Sequence, residues 1–242
     1  MSGPQRLDLA LVEAGLVASR QRAQRAIQGG QVMVNGVVAL KASQSVASDD
    51  RIEVVDDPWV SRAAHKLLGA LDGTGLVVPA RCLDAGASTG GFTQVLLSRG
   101  AETVYAVDVG HGQLASSIAD DPRVVAREGV NVKDLRLEDL DGEKVGLLVA
   151  DLSFISLTLV LPALLPLLDG DALLLVKPQF EVGRENIGSG VVRDEMGRLK
   201  AVEKVCAAAA ELGWSTVWRG PSRLGGARGN VEYFIHLRPQ AR

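Results

Sequence analysis

Seven short apolar runs recur between residue 80 and the end of this chain, at 81–83, 103–107, 124–126, 147–150, 173–176, 215–218 and 231–237. Helical patterns fill most of the gaps, for example at 91–99 and 195–212. Strands that alternate with amphipathic helices are joined by crossovers, which lay consecutive strands parallel with helices on both faces. The expectation is an α/β domain with a mostly parallel, doubly wound sheet of seven strands. Such sheets bind ligands outside the carboxyl ends of their strands, so polar residues at those ends are the candidates for chemistry.

The region before residue 60 follows another pattern. Leu7, Leu11 and Ala14 mark one face of a helix that stops at Gly15. A second helix has Ser19 where an N-cap belongs, Ala23, Ala26 and Ile27 on its inner stripe, and Gly29-Gly30 at its end. Val32-Met33-Val34, Asn35-Gly36 and Val37-Val38 then spell a hairpin with a tight turn, and a strand at 51–55 closes the unit. Asp56-Asp57-Pro58-Trp59 breaks the periodicity. The expected division is a small α+β domain at 1–56, a linker at 57–61 and the α/β domain at 62–242.

A length of 242 residues suits one ordinary domain with a smaller companion, and 47% hydrophobic with 23% charged residues is a globular composition. The apolar runs are too short to span a bilayer, and Cys82 and Cys206 are too few for a disulfide framework. With no leader pattern, the chain is expected to be soluble, cytoplasmic and without a membrane partner. His111, His236 and the two distant cysteines lack ligand spacing, so no metal is expected. The net charge of −3 is unevenly spread: residues 1–48 set five basic side chains against Asp8 and Glu13, and residues 219–242 set five arginines against Glu232. Localised positive charge on an acidic chain is the footprint of an anionic partner, or simply a solvated face.

The α-α-β layout, with Arg20, Arg22 and Arg25 along the second helix, resembles an S4 domain over residues 5–55. That resemblance implies binding of structured RNA through phosphate contacts, with Arg6, Arg20, Arg22, Arg25 and Lys41 as the candidates. Arg6-Leu7-Asp8 also resembles the catalytic signature of pseudouridine synthases, but it falls inside the first helix and is read as coincidence.

After the first strand of the larger domain comes Asp84-Ala85-Gly86-Ala87-Ser88-Thr89-Gly90-Gly91-Phe92, opening a helix. Glycines let backbone approach a ligand closely. Their spacing departs from the dinucleotide G-x-G-x-x-G, and an acid before the first glycine suits an ammonium better than a pyrophosphate. Asp108 ends the next strand, where a carboxylate can accept both ribose hydroxyls, and Glu128 and Asn131 lie beyond the third. The stretch "LDAGASTGGFT … VYAVDVG" resembles motif I and its partner acid in Rossmann-like class I methyltransferases, which implies S-adenosylmethionine as cofactor.

Asp151 follows the fourth strand and Lys177 the fifth, while Lys66 opens an apolar helix and Glu232 stands at the start of the last strand. The four resemble the Lys-Asp-Lys-Glu tetrad of FtsJ-type ribose 2'-O-methyltransferases, in the same chain order. Lys177 is the candidate base, with Asp151 holding both amines and Glu232 orienting Lys66 or the ribose. Phe154 either stacks a flipped base or fills the core, and 183–190 reads as a mobile substrate loop. The phrases "SRAAHKL", "ADLSFISL", "VKPQFEVG" and "GNVEYF", joined to the S4-like unit, resemble the TlyA (hemolysin A-like) family along nearly the whole chain. That resemblance implies methylation of cytidine in ribosomal RNA of the large subunit, and in some members of the small subunit too. Longer tails mark the members with both targets, whereas here the last strand is soon followed by Arg242. A non-catalytic ribosome-associated RNA binder, a membrane-active hemolysin and an NAD-dependent oxidoreductase are the alternatives.

Overall fold

The computed structural model describes residues 4–55, 57–182, 191–226 and 229–240. The expected substrate loop at 183–190 lies outside the described residues, as does the Arg25 side chain. The chain divides into two compact units, Met1–Arg62 and Ala63–Arg242.

The first unit runs β1 (Gln5–Arg6), α1 (Leu7–Glu13), α2 (Arg20–Gln28), β2 (Val32–Val34), β3 (Val37–Val38), β4 (Ser45–Val46) and β5 (Ile52–Val54). The inner stripes of the two helices bury Leu7, Ala10, Leu11, Ala23, Ala26 and Ile27 against Val32, Val34, Ala39 and Val46. Ser19 Oγ accepts the Arg22 amide at 3.3 Å, satisfying a donor that the first turn of α2 leaves free. Asn35 and Gly36 both hold positive φ, 51° and 78°, as the two-residue turn between β2 and β3 requires. The Asn35 side chain adds bonds to Asp50 Oδ1 (2.7 Å) and from the Arg51 amide (2.9 Å), so the turn is tied to the approach of β5. Three strands form one sheet in the order β3-β2-β5, and β1 pairs with β4 apart from it. That second pair was not expected, because two residues per strand carry no alternation to read.

The second unit runs α3 (Ala63–Thr74), β6 (Arg81–Ala85), α4 (Gly91–Ser98), β7 (Thr103–Asp108), α5 (Ser116–Ala119), β8 (Val124–Glu128), β9 (Val145–Ala150), α6 (Leu161–Leu164), β10 (Leu168–Val176), α7 (Pro178–Glu181), α8 (Glu195–Glu211), β11 (Trp214–Pro221) and β12 (Tyr233–Pro239). Its seven strands lie in the order β11-β12-β10-β9-β6-β7-β8. Strands β6 to β10 are mutually parallel, and β12 runs antiparallel to both β10 and β11. The central strands read as unbroken apolar runs because both faces are covered: Leu147 to Ala150 and Leu173 to Val176 are buried throughout.

Of the boundaries that differ from the sequence reading, two change how the site is approached. Strand β10 begins at Leu168, before the expected 173, since Asp169-Gly170-Asp171 resembles a turn but continues the strand past β9; a Cβ on Gly170 would collide with the Gly146 carbonyl. Strand β12 begins at Tyr233, so Glu232 precedes it, its carbonyl accepting the Ser222 amide at 2.8 Å. The strand order reverses between β6 and β9, which opens a crevice at their carboxyl ends.

Candidate active site

A cavity of about 420 Å³ occupies that crevice. Gly86 and Ser88 line it from the loop after β6, Asp108 from the end of β7, Asn131 from beyond β8, and Asp151, Ser153 and Phe154 from the loop after β9. Its size is within the usual range for a small-molecule site. Gly86 holds φ +89°, and a Cβ there would sit 2.8 Å from the Asp151 carbonyl oxygen, so the loop after β6 can lie this close only as glycine. The amides of Gly86 and Ala87 both bond to the Val107 carbonyl (2.8 and 3.1 Å), which fixes this loop on β7.

Asp108 binds the Ser88 amide through Oδ2 (2.9 Å) and the Gly110 amide through Oδ1 (2.8 Å). A carboxylate oxygen has two acceptor sites, so each retains one. Asp84 is fully buried: Oδ2 accepts the Thr93 hydroxyl at 2.7 Å, and Oδ1 has no hydrogen-bond partner. Burial pushes its carboxyl up to about 7, and the nearby Asp151 and Asp108 carboxylates add to the rise against the Thr93 hydrogen bonds.

The other expected cofactor residues divide by position. Asn131 lines the cavity, whereas Glu128 accepts the amides of Gly112 (2.8 Å) and Gln113 (3.1 Å), which hold its carboxyl below the ordinary range. Glu128 thus braces the loop that delivers Gln113 to the cavity wall. Thr89, Gly90 and Gly91 form the turn into α4, with the Thr89 carbonyl accepting the Ala115 amide at 3.2 Å. Phe92 is in the core, stacked on Phe234 with ring centroids 6.1 Å apart.

The four expected catalytic residues form two ion pairs. Lys66 Nζ lies 2.6 Å from Glu232 Oε2, and both side chains are almost fully buried. Lys177 Nζ lies 2.6 Å from Asp151 Oδ1, out of hydrogen-bond alignment, and donates instead to Ser153 Oγ at 2.7 Å. Asp151 was expected to hold both amines; the structure gives each its own acid. Two ammonium groups in a poorly hydrated place each need a counter-charge, and one carboxylate would leave an excess cation. Asp151 and Ser153, the two partners of Lys177, are in the cavity wall.

Phe154 is 91% exposed with φ +66°, its ring 5.3 Å from that of Phe180, which removes the core alternative for this side chain. Two further residues went unnoticed in the sequence. Ser153 carries no signal beyond proximity to Asp151. Glu181, on the turn after Lys177, is buried and accepts the Ser156 hydroxyl and the Leu157 amide (2.7 Å), so it ties the loop after β9 to α7.

The FtsJ-like methyltransferase model matches residues 59–239 and the S4 domain model residues 5–52. The 16S/23S rRNA (cytidine-2'-O)-methyltransferase TlyA of Mycobacterium tuberculosis is 51% identical over 97% of this chain and 90% of its own. The chain belongs to the TlyA family of FtsJ-like methyltransferases. Another relative, Hemolysin A of Brachyspira hyodysenteriae, is 40% identical over 96% of this chain and 99% of its own. A solved structure from Streptococcus thermophilus, titled a hemolysin, superposes with a TM-score of 0.77 at 37% identity, covering 99% of this chain and 90% of that one. No helix among the described residues is long and apolar enough to cross a membrane.

Proposed function

We propose that this TlyA-family chain transfers a methyl group from S-adenosylmethionine to the 2'-hydroxyl of a cytidine ribose in ribosomal RNA, of the large subunit and also the small. The observation that carries the reading is the Lys177–Asp151 pair, whose acid stands in the cavity wall, with the Lys66–Glu232 pair as the rest of the tetrad. The M. tuberculosis relative, whose name gives both 16S and 23S targets, supports extending the substrate to the small subunit.

The residues present fit the cofactor. The unpartnered Asp84 Oδ1 is a buried acceptor awaiting a donor such as an amino-acid ammonium, Asp108 keeps lone pairs for ribose hydroxyls, and Gly86 leaves room that a Cβ would fill. S-adenosylmethionine supplies, when bound, an electrophilic methyl on a sulfonium. A ribose hydroxyl is a weak nucleophile until it loses its proton, so a base is the main requirement on the protein. Lys177 takes that role as the neutral amine, receiving the hydroxyl proton on Nζ and so becoming the ammonium that Asp151 and Ser153 hold. Glu232 holds Lys66 in place, and Phe154 offers its exposed face to the unstacked base. Residues 1–56 act as the RNA-binding domain through Arg6, Arg20, Arg22, Arg25 and Lys41, residues 57–61 as linker and 62–242 as the methyltransferase domain, in the cytoplasm.

Incubation with labelled S-adenosylmethionine and separated ribosomal subunits or naked rRNA, followed by mapping of the label, tests this. Label on cytidine 2'-oxygens is expected. Label on a base would remove the tetrad from the reaction, and membrane lysis without label would favour a hemolysin.

A further inference from the structure

Among the described candidate RNA-binding side chains, Arg6 and Arg20 share one acid, Asp8. Asp8, in the first turn of α1, has no exposed surface, yet it is covered by the side chains it binds and not by a deep core. Arg6 engages it as a fork, Nε to Oδ1 and Nη2 to Oδ2, both at 3.0 Å. Arg20, from α2, adds Nε to Oδ2 at 3.0 Å, and Gln24, one turn further on, adds Nε2 to Oδ2 at 3.1 Å. The Arg6 hydrogen bonds, with those of Gln24 and Arg20, hold the Asp8 carboxyl far below the ordinary range, so it remains ionised.

One buried carboxylate needs one counter-charge, and here it has two. The second guanidinium is surplus to neutralisation, and ordering two long side chains costs rotamer entropy. Both remain substantially exposed, 44% for the Arg6 side chain and 54% for Arg20. A fork through Nε and Nη2 leaves Nη1 of Arg6 on its opposite edge, and Arg20, giving Asp8 only Nε, keeps both terminal nitrogens uncommitted to it. Two adjacent guanidiniums of fixed orientation, with one net positive charge between them and Asp8, match the oxygens of one phosphate diester.

We propose that Asp8 is a positioning residue that holds Arg6 and Arg20 as a preorganised site for one backbone phosphate of the RNA. This rests on the RNA reading above. Freely rotating arginines would lose conformational freedom on binding, whereas these have lost it on folding.

The test turns on sign. Asp8→Asn keeps the shape and removes a negative charge. If the arginines act only as diffuse positive charge, rRNA binding tightens. If Asp8 positions them, it weakens about tenfold, and the slope of log affinity against log salt falls by roughly 0.7–0.9, one phosphate contact. Filter binding of the full chain to purified large-subunit rRNA between about 50 and 200 mM salt reads both quantities. Arg20→Lys and Arg6→Lys keep every charge but lose the fork, and stand in if Asp8→Asn fails to fold; each is expected to weaken binding about fivefold with a lower slope. Equal or tighter binding by Asp8→Asn, or unchanged binding by both lysine variants, overturns the proposal while the RNA reading stands. No salt-dependent binding by the wild type overturns both.

Discussion

Asp84 is a carboxylic acid placed where its charge is poorly tolerated, and the cost has a pH signature. Its native carboxyl keeps a proton up to about 7, whereas an unfolded chain releases it near the ordinary 3.8. Between those values the native state binds more protons than the unfolded state, so stability from this group is lost as pH rises through the window and is flat above it. Asp84→Asn escapes the penalty. Its gain in unfolding free energy over the wild type should be near zero at pH 4 and grow to as much as about 4 kcal/mol above pH 7, since each tenfold change in proton affinity is worth about 1.4 kcal/mol. Urea titrations of both proteins at several pH values read this, and parallel curves would show the carboxyl to be ordinary. The same substitution should weaken cofactor binding, because an amide answers an ammonium poorly. Lys177→Ala is expected to cut methyl transfer by more than about a thousandfold with cofactor affinity nearly intact. Residual activity within tenfold, about 1.4 kcal/mol of barrier, would take the base role from Lys177.

Glu181 shows what an element's neighbours contribute. It has no place in the tetrad, but the loop that carries Asp151, Ser153 and Phe154 is anchored through Ser156 and Leu157 to its carboxylate. Glu181→Ala leaves the buried Leu157 amide without an acceptor, at about 1–3 kcal/mol, and should lower the single-turnover methylation rate about tenfold. Glu181→Gln, which still offers an oxygen, should recover part of it; unchanged rates in both variants would mean the anchor is unimportant. The sequence made the larger elements legible because their signals are periodic: the β-strands of the second unit, α4, α8 and the Asn35-Gly36 hairpin all follow from spacing. Lys66, Asp151, Lys177 and Glu232 stood out only through their resemblance to the FtsJ-type tetrad, and nothing in the sequence divided them into two pairs. Partnership depends on which side chains converge, and Lys66 meets Glu232 across 166 positions. Glu181 and Ser153 escaped for the same reason: each acts through a contact that no local pattern announces, with a partner 24 or 25 positions away.

Each unit holds a hydrophobic cluster of its own, ten buried residues in the first and a much larger set in the second. A small core leaves little margin, so Leu11→Ala, which removes a side chain with no exposed surface, should cost about 2–5 kcal/mol there. Calorimetry should show an early transition shifted down or lost, with the later one and cofactor binding unchanged; a single transition moving as one would mean the cores unfold together. The pairing of Lys66 with Glu232 joins the first helix of the second unit to the approach of its last strand. It also sets an order in time. A ribosome releases Lys66 long before Glu232 exists, and β12 must still slot between β10 and β11. Until then the sheet is open and the lysine lacks its acid. A chain interrupted before that strand is therefore expected to transfer no methyl group, because neither the sheet nor the Lys66–Glu232 pair is complete.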